Sequence, residues 1–461
     1  MKSVALHNLG CKVNSYEIDV MQQMLRESGY KIVPFDDVAD VYIINTCTVT
    51  NIADRKSRQM IHRARKNNPD AVVVAVGCYV QTAGEAIVQE GAVDIAVGNN
   101  RKKDIVSVLE EYWKNKATAA GSLAVQECSD GKRRGESGDC RKQTVVETID
   151  IGAAKEYEEM QLTRTAGHTR AYIKIQDGCN QFCSYCIIPY ARGRVRSRAE
   201  EDILREVQGI VEAGYREIVL TGIHISSYGI DRNGPELLRL LTKLHETDGL
   251  DRIRLGSLEP RIVTEEFSRA ISAMPKICPH FHLSLQSGCD SVLARMNRHY
   301  TTGEYFQTTE TLRKYYQNPA ITTDVITGFP GETEEEFRMT EGFVRKVNFY
   351  EMHIFKYSKR QGTRAASMDC QLTEAEKGRR SAALAQAERQ MSHAYRAGWQ
   401  NRRAEVLLEE TKEINGRVYW VGHTPQYIKA AVEAEESVNL GNQIVTGSLN
   451  GFLEEDIMLL K

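Results

Sequence analysis

DGCNQFCSYC, residues 177–186, sets Cys179, Cys183 and Cys186 within one short stretch, and the next cysteine is Cys278. Structural zinc sites and ordinary iron–sulfur carriers take four protein ligands, so a set of three leaves one coordination position for something else. The run just ahead, AYIKIQDG (171–178), alternates as a strand does. Five more runs of this kind follow: EIVLTGIH (217–224), RIRLGSLE (252–259), HFHLSLQS (280–287), TTDVITGF (322–329) and YEMHIFKY (350–357), with helical segments between them. Six βα units predict an open (β/α)6 partial barrel over 166–396. The three cysteines then lie at the carboxyl end of its first strand, the face on which barrel active sites collect.

The fold class read outward from this stretch is α/β. Residues 1–112 show the rhythm of a parallel sheet, with strands at SVALHNLGC, DVYIINTC, AVVVAVGC and VDIAVGN. Asn14-Ser15-Tyr16-Glu17 resembles a capping box, followed by a helical stripe of Ile18, Met21 and Leu25 that ends at Gly29. Cys11, Cys47 and Cys78 each close one of the first three strands. Ligands of open parallel sheets bind at strand carboxyl ends, so these thiols are expected to converge on a second site with an open metal position. The pattern dissolves over 113–165, which reads as a linker or mobile insertion carrying Cys128 and Cys140 as isolated thiols. The closing stretch, 397–461, has short β-like runs separated by turn residues and predicts a small antiparallel barrel.

With 60 Lys plus Arg against 62 Asp plus Glu, global charge neither announces nor excludes a nucleic-acid partner. The opening MKSVALHNLGCKVN turns polar before an apolar leader segment is complete, and AVVVAVG (71–77) is too short to span a bilayer. Eleven cysteines without a leader point to metal or redox use in a reducing compartment, so the expectation is a cytoplasmic protein with no membrane partner.

Three thiolates at C-x3-C-x2-C suit three irons of a cubane cluster with the fourth iron open; a zinc site completed by a distant His224 or Cys289 is the alternative. The motif, with Tyr185 before its last cysteine, resembles the signature of the radical S-adenosylmethionine enzymes. The resemblance implies a [4Fe–4S] cluster whose open iron is chelated by S-adenosylmethionine. It also implies cofactor contacts at later strand ends: Thr221 and Gly222 in TGIHIS, Ser257 and Glu259, Gln286 and Ser287 in SLQSG, Gly328 in ITGFPGE, and Tyr357. A radical domain preceded by a three-cysteine domain and followed by a small barrel is similar to the methylthiotransferases. LGCKVNSYE, NTCTVT, VGCY and YSKRQGTRAA carry that likeness, with Gln361 where the family often has proline. The terminal barrel resembles the TRAM module. The family implies a second [4Fe–4S] cluster on Cys11, Cys47 and Cys78 as sulfur donor, an external electron donor and a sulfur source. Lys12 in GCKVNSYE and VGHTPQYIKA resemble the branch that modifies threonylcarbamoyladenosine in tRNA, beside branches acting on isopentenyladenosine or a ribosomal-protein aspartate. An iron–sulfur carrier and an RNA-binding protein with structural zinc are the readings from other classes.

Local charge supports RNA. Arg192, Arg194, Arg196 and Arg198 alternate directly after the cysteine loop and are expected to meet phosphates. The basic segment DRKSRQMIHRARK (54–66) is either a second such surface or a solvated face. Tyr419, Trp420 and Tyr427 either stack bases or fill the core of the small barrel. His62, His299 and His353 read as structural groups rather than ligands.

Overall fold

Two runs without a charged side chain, VYIINT and VVVAVG, are buried along their whole length. Strands covered on both faces read this way because helices pack on either side of a parallel sheet. The computed structural model describes residues 1–84, 86–89, 91–127, 144–165, 167, 169–435 and 438–461, so Cys128 and Cys140 lie outside the described residues. It divides into two units, Met1–Leu162 with Tyr190–Arg194, and Thr163–Pro189 with Val195–Lys461.

In the first unit, β1 (Ser3–Asn8), β2 (Lys31–Val33), β3 (Val41–Thr46), β4 (Val72–Gly77), β5 (Ile95–Val97) and β6 (Val145–Glu147) pair in the order β2-β1-β3-β4-β5-β6. Every pair is parallel. Two elements depart from the sequence reading. The short edge strand β2 falls in KIV, too brief to show a period, so the three cysteines follow β1, β3 and β4. The stretch 113–165 is more than a connector: the helix Ile105–Glu127 runs into it, and β6 adds to the sheet beside β5.

The helix after β1 starts at Lys12 with Cys11 as its N-cap and no side-chain cap bond, which corrects the capping box at Asn14. Asn14 is one turn inside and buried. Its Nδ2 donates to the carbonyls of Leu9 (2.6 Å) and Thr46 (3.1 Å), tying the loops after β1 and β3 together. By contrast Thr50 caps the helix Asn51–Asn67 by accepting from the Ala53 N–H, as the residue type favours.

In the second unit, β7 (Ala171–Asp177), β8 (Arg196–Ser197), β9 (Glu217–Gly222) and β10 (Arg252–Leu255) form one sheet in the order β10-β9-β7-β8. A second sheet holds β11 (His280–His282), β12 (Ala320–Thr327) and β13 (Glu351–Lys356) in sequence order. Backbone bonds from Leu258 N to His282 O (2.8 Å) and from Ser284 N to Leu258 O (3.1 Å) join them. The result is an open run of six parallel strands, with β8 antiparallel on the edge. Alternation sorts their side chains. Ile218, Leu220, Ile253 and Leu255 are buried core, whereas Glu217, Arg254, His280, His282, Thr322 and Asp324 meet one another on the other face.

β14 (Arg403–Ile414), β15 (Arg417–His423), β16 (Lys429–Glu433), β17 (Ile444–Glu454) and β18 (Ile457–Leu460) close a barrel in the order β14-β15-β16-β18-β17. Its pairs are antiparallel except β16 with β18. Gly422 is required where β14 bulges, since a Cβ there would stand 1.8 Å from the Leu407 carbonyl oxygen. Tyr427 fastens this barrel to the six-stranded sheet. Its ring stacks between His280 and His423, with centroids 4.7 and 4.5 Å away, and the guanidinium of Arg254 lies 4.9 Å from it. Tyr419 is buried beside Ile414, Val421 and Ile457. Both tyrosines therefore serve packing rather than base stacking; Trp420 alone of the three lines an open groove, with Thr411, Val418 and Val438.

Candidate cluster and cofactor sites

In the second unit, β7 ends at Asp177 and the chain enters the cysteine loop. Gln176, which the sequence reading passed over, shapes it. Its Nε2 donates to the carbonyls of Asp177 (2.7 Å) and Gly178 (2.6 Å), and its Oε1 accepts from the His224 N–H (2.8 Å). One buried amide thus holds the cysteine loop against the loop after β9. On the far side, Asn297 Nδ2 donates to the carbonyls of Gln181 and Phe182, and Ser184 N and Oγ donate to the carbonyls of Met296 and Arg295. The loop is fixed by the protein alone, with three partly exposed thiols on it. Arg298 donates from Nη1 to Cys183 Sγ (3.3 Å) and from Nε to Tyr300 Oη (3.0 Å).

Burial pushes the thiol of Cys179 up to about 11 and that of Cys186 up to about 12. Bare, these two thiols stay protonated at neutral pH, and bound metal supplies the positive charge that makes thiolates stable there. The donor set fits an iron–sulfur cluster. The zinc alternative is poorly served by Cys289, whose sulfur lies 3.2 Å from Ser291 Oγ within an apolar cluster that includes Val292, Met296 and Phe329. His224 is kept neutral by burial, its pKa lowered to about 4. Its Nδ1 lies 2.7 Å from Ser227 Oγ, and its buried Nε2 has no hydrogen-bond partner among the described residues.

The strand-end residues proposed to wall S-adenosylmethionine divide. Thr221, Glu259 and Gln286 are nearly buried, and Ser257 is exposed. Glu259 pairs with Arg261 (2.7 Å), and its backbone N–H donates to Ser226 Oγ (2.9 Å). Gln286 takes a positive φ of 70°, a strained turn of the kind found at binding sites. A Cβ on Gly222 would come within 3.0 Å of the Gln176 carbonyl oxygen, so the two strand ends approach at van der Waals distance. Gly328 is needed for Lys377, whose Cγ would stand 2.3 Å from an added Cβ. Ser287 is wholly buried with its hydroxyl against Thr340 Oγ1 (3.2 Å) on the helix Glu334–Val347, and buried Tyr357 packs edge-on to Phe329.

In the first unit Cys11 follows β1, Cys47 follows β3 directly and Cys78 follows β4 directly. These three strands are neighbours, so the topology puts the three thiols at one sheet edge. Gly10, at φ 106°, would place a Cβ 2.9 Å from Cys47 Cβ, and Gly77, at φ 97°, would place one 2.7 Å from Asn45 Oδ1. Burial pushes the Cys47 thiol up to about 12, the same demand for a cation as in the other loop. Gly10→Ala is expected to cost about 1–3 kcal/mol from the strained φ and to displace Cys47. Iron and sulfide analysis of the reconstituted variant should show one cluster's complement missing.

Each unit thus presents a set of three thiols at strand carboxyl ends. Residues 3–98 match the Uncharacterized protein family UPF0004, and residues 173–344 match the Radical SAM superfamily. The chain is 39% identical over 440 residues to a threonylcarbamoyladenosine tRNA methylthiotransferase of Bacillus subtilis, covering 95% of this chain and 92% of that protein. It belongs to the radical S-adenosylmethionine methylthiotransferases. A tRNA-2-methylthio-N(6)-dimethylallyladenosine synthase of Moorella thermoacetica is 34% identical over 415 residues, covering 88% and 87% of the two chains. Among solved structures, the radical S-adenosylmethionine methyltransferase TsrM of Kitasatospora setae shares the fold, with a TM-score of 0.55 at 17% identity over 79% of this chain and 77% of that one. The methylthiotransferase accordingly works with S-adenosylmethionine and [4Fe–4S] clusters.

Of the four arginines expected to meet phosphate, Arg192, Arg196 and Arg198 are buried on protein partners. Arg192 is wholly buried in the first unit, on Glu17 (2.9 Å). Arg196 is buried 3.9 Å from Asp177, and Arg198 is buried on Glu206. Burial of a guanidinium demands a carboxylate partner, and the partners stand far away in the sequence or around a turn, where a charge count cannot find them. Arg194 is exposed, as are Arg55 and Lys56 on the helix Asn51–Asn67. Sequence reasoning also passed over His282 and Asp324, and read His353 as a structural group. They sit on β11, β12 and β13 with ligand-capable atoms all within 4.8 Å of one another, and His282 Nε2 lies 3.3 Å from Asp324. The pattern HFH, two imidazoles two residues apart on a strand, was the available signal. His353 is therefore part of a cluster, while His62 and His299 are exposed.

Proposed function

We propose that this methylthiotransferase acts on tRNA, placing a methylthio group on C2 of N6-threonylcarbamoyladenosine beside the anticodon. The observation that carries this reading is end-to-end similarity, at 39% identity, to a relative named for that nucleoside. The inner face of the six-stranded sheet supports it. His282, Asp324, His353 and Thr322 offer hydrogen bonds suited to a substituent with a carboxylate, a hydroxyl and a urea, and offer a hydrocarbon tail little apolar wall.

Cys179, Cys183 and Cys186 hold the cluster that binds S-adenosylmethionine, and Cys11, Cys47 and Cys78 hold the cluster that presents sulfur. Reduced and loaded, the first site supplies a 5′-deoxyadenosyl radical, the reagent needed at a carbon that acid–base catalysis does not open. The chain's own work is positional. Gln176 and Asn297 keep the cysteine loop in place, Thr221, Glu259 and Gln286 orient the cofactor, and neutral His224 offers a nitrogen at the mouth without adding charge. An electron donor and a sulfur source are further partners. No helix among the described residues is long and apolar enough to cross a membrane, and the reading places the protein in the cytoplasm with its substrate.

The test uses two tRNA pools without 2-methylthio groups, one carrying threonylcarbamoyladenosine and one isopentenyladenosine. Each is incubated anaerobically with reconstituted, reduced protein and S-adenosylmethionine, then digested and profiled by mass. The methylthio nucleoside is expected from the first pool at a rate at least about tenfold above the second, the discrimination that the net contribution of one hydrogen bond gives. Product from the second pool alone moves the substrate to isopentenyladenosine, as in the Moorella relative.

A further inference from the structure

Arg192 lies six residues after Cys186 in the chain, yet its guanidinium belongs to the first unit and is 0% exposed there. Each nitrogen has a defined partner. Nη1 and Nη2 fork onto Glu17 at 2.9 and 3.1 Å, Nη2 also donates to Asn14 Oδ1 at 2.7 Å, and Nε donates to Cys78 Sγ at 3.2 Å. Glu17, itself 0% exposed, is shared with buried Lys102, whose Nζ stands 3.1 Å away. A second donor reaches the same sulfur. Asn99 Nδ2 lies 3.5 Å from Cys78 Sγ, oriented by the Ala191 carbonyl (2.7 Å) and by Lys102 Nζ on its Oδ1 (2.6 Å).

Here the charge is aimed at a thiol. Hydrogen bonds and positive charge at a ligating sulfur stabilise the more electron-rich state of a cluster, and so raise its reduction potential. The second unit repeats the device, with Arg298 Nη1 on Cys183 Sγ, which gives each cysteine set its own guanidinium.

We propose that Arg192, with Asn99, is a positioning residue that holds the auxiliary cluster on Cys11, Cys47 and Cys78 at a raised reduction potential through Cys78 Sγ. This rests on the reading that those cysteines carry a cluster. The guanidinium also ties the stretch Tyr190–Arg194 to the helix Lys12–Glu27 through Glu17 and Asn14, so the charge at the sulfur and the seat of that stretch share one anchor.

The test is an anaerobic redox titration of the reconstituted full chain, followed by electron paramagnetic resonance, on wild type, R192Q, R192K and N99S. R192Q is expected to move one of the two clusters to a more negative potential and leave the other unmoved. R192K, which keeps charge but loses the fork, should move it less, and N99S should move the same cluster in the same direction by the smallest amount. Unchanged potentials in R192Q and N99S at full iron content overturn the proposal. Where R192Q takes up no auxiliary cluster, N99S alone decides by the same criterion. A wild-type chain that binds a single cluster overturns the reading beneath the proposal instead.

Discussion

Cys183→Ala takes 5′-deoxyadenosine formation and nucleoside product below detection while the protein stays folded. The reason lies in how the loop is built. Ser184 N and Oγ, Asn297 Nδ2 and the Ala365 N–H, which donates to the Ser184 carbonyl, fix the loop with bonds that involve no thiol. Removing one sulfur leaves the backbone in place and takes away one of three metal ligands, and a cubane on two protein thiolates is not retained at the first site. Chromatographic assay of deoxyadenosine, iron analysis and a thermal melt check the three parts. A melt lowered by many degrees would mean that the cysteine supports the fold, and persisting deoxyadenosine would remove Cys183 from the cluster.

Cys47→Ala separates the two halves of the chemistry. Deoxyadenosine formation persists, the iron content falls by one cluster, and no methylthio nucleoside is formed. Cys47 is 7% exposed, its backbone N–H and carbonyl are both bonded to Ser57 Oγ, and Gly10 packs on its side chain. Alanine fits that space, so the loss falls on metal binding rather than on the sheet. Persistent thiolation at the wild-type rate would show that sulfur comes from elsewhere.

What the sequence made legible follows from which interactions are local. Alternation along β7, β9, β10, β11, β12 and β13 is imposed by burial on one face, so the six strands could be read directly. The same holds for cysteines that immediately follow apolar runs. Asn14 shows the limit: its residue type and the Glu three positions on favour a cap, but the helix had already begun at Lys12 because the Asn14 amide bridges two loops. The arginine run shows it again. Arg192, Arg196 and Arg198 look alike in sequence, while Glu17, Asp177 and Glu206, which decide their burial, are placed by tertiary structure. Tyr427 likewise has the composition of a base-stacking residue and the surroundings of a docking pin, since His280 and His423 come from different barrels.

The central claim is that two separate three-thiolate sites each hold a four-iron cluster with one iron open to an outside ligand. Mössbauer spectroscopy of ⁵⁷Fe-reconstituted protein, with and without S-adenosylmethionine, tests it most directly. The account predicts two clusters per chain, one of which shows a distinct iron site that changes on adding S-adenosylmethionine; that one is absent from Cys183→Ala and present in Cys47→Ala. A single cluster, or two that ignore S-adenosylmethionine, would contradict it.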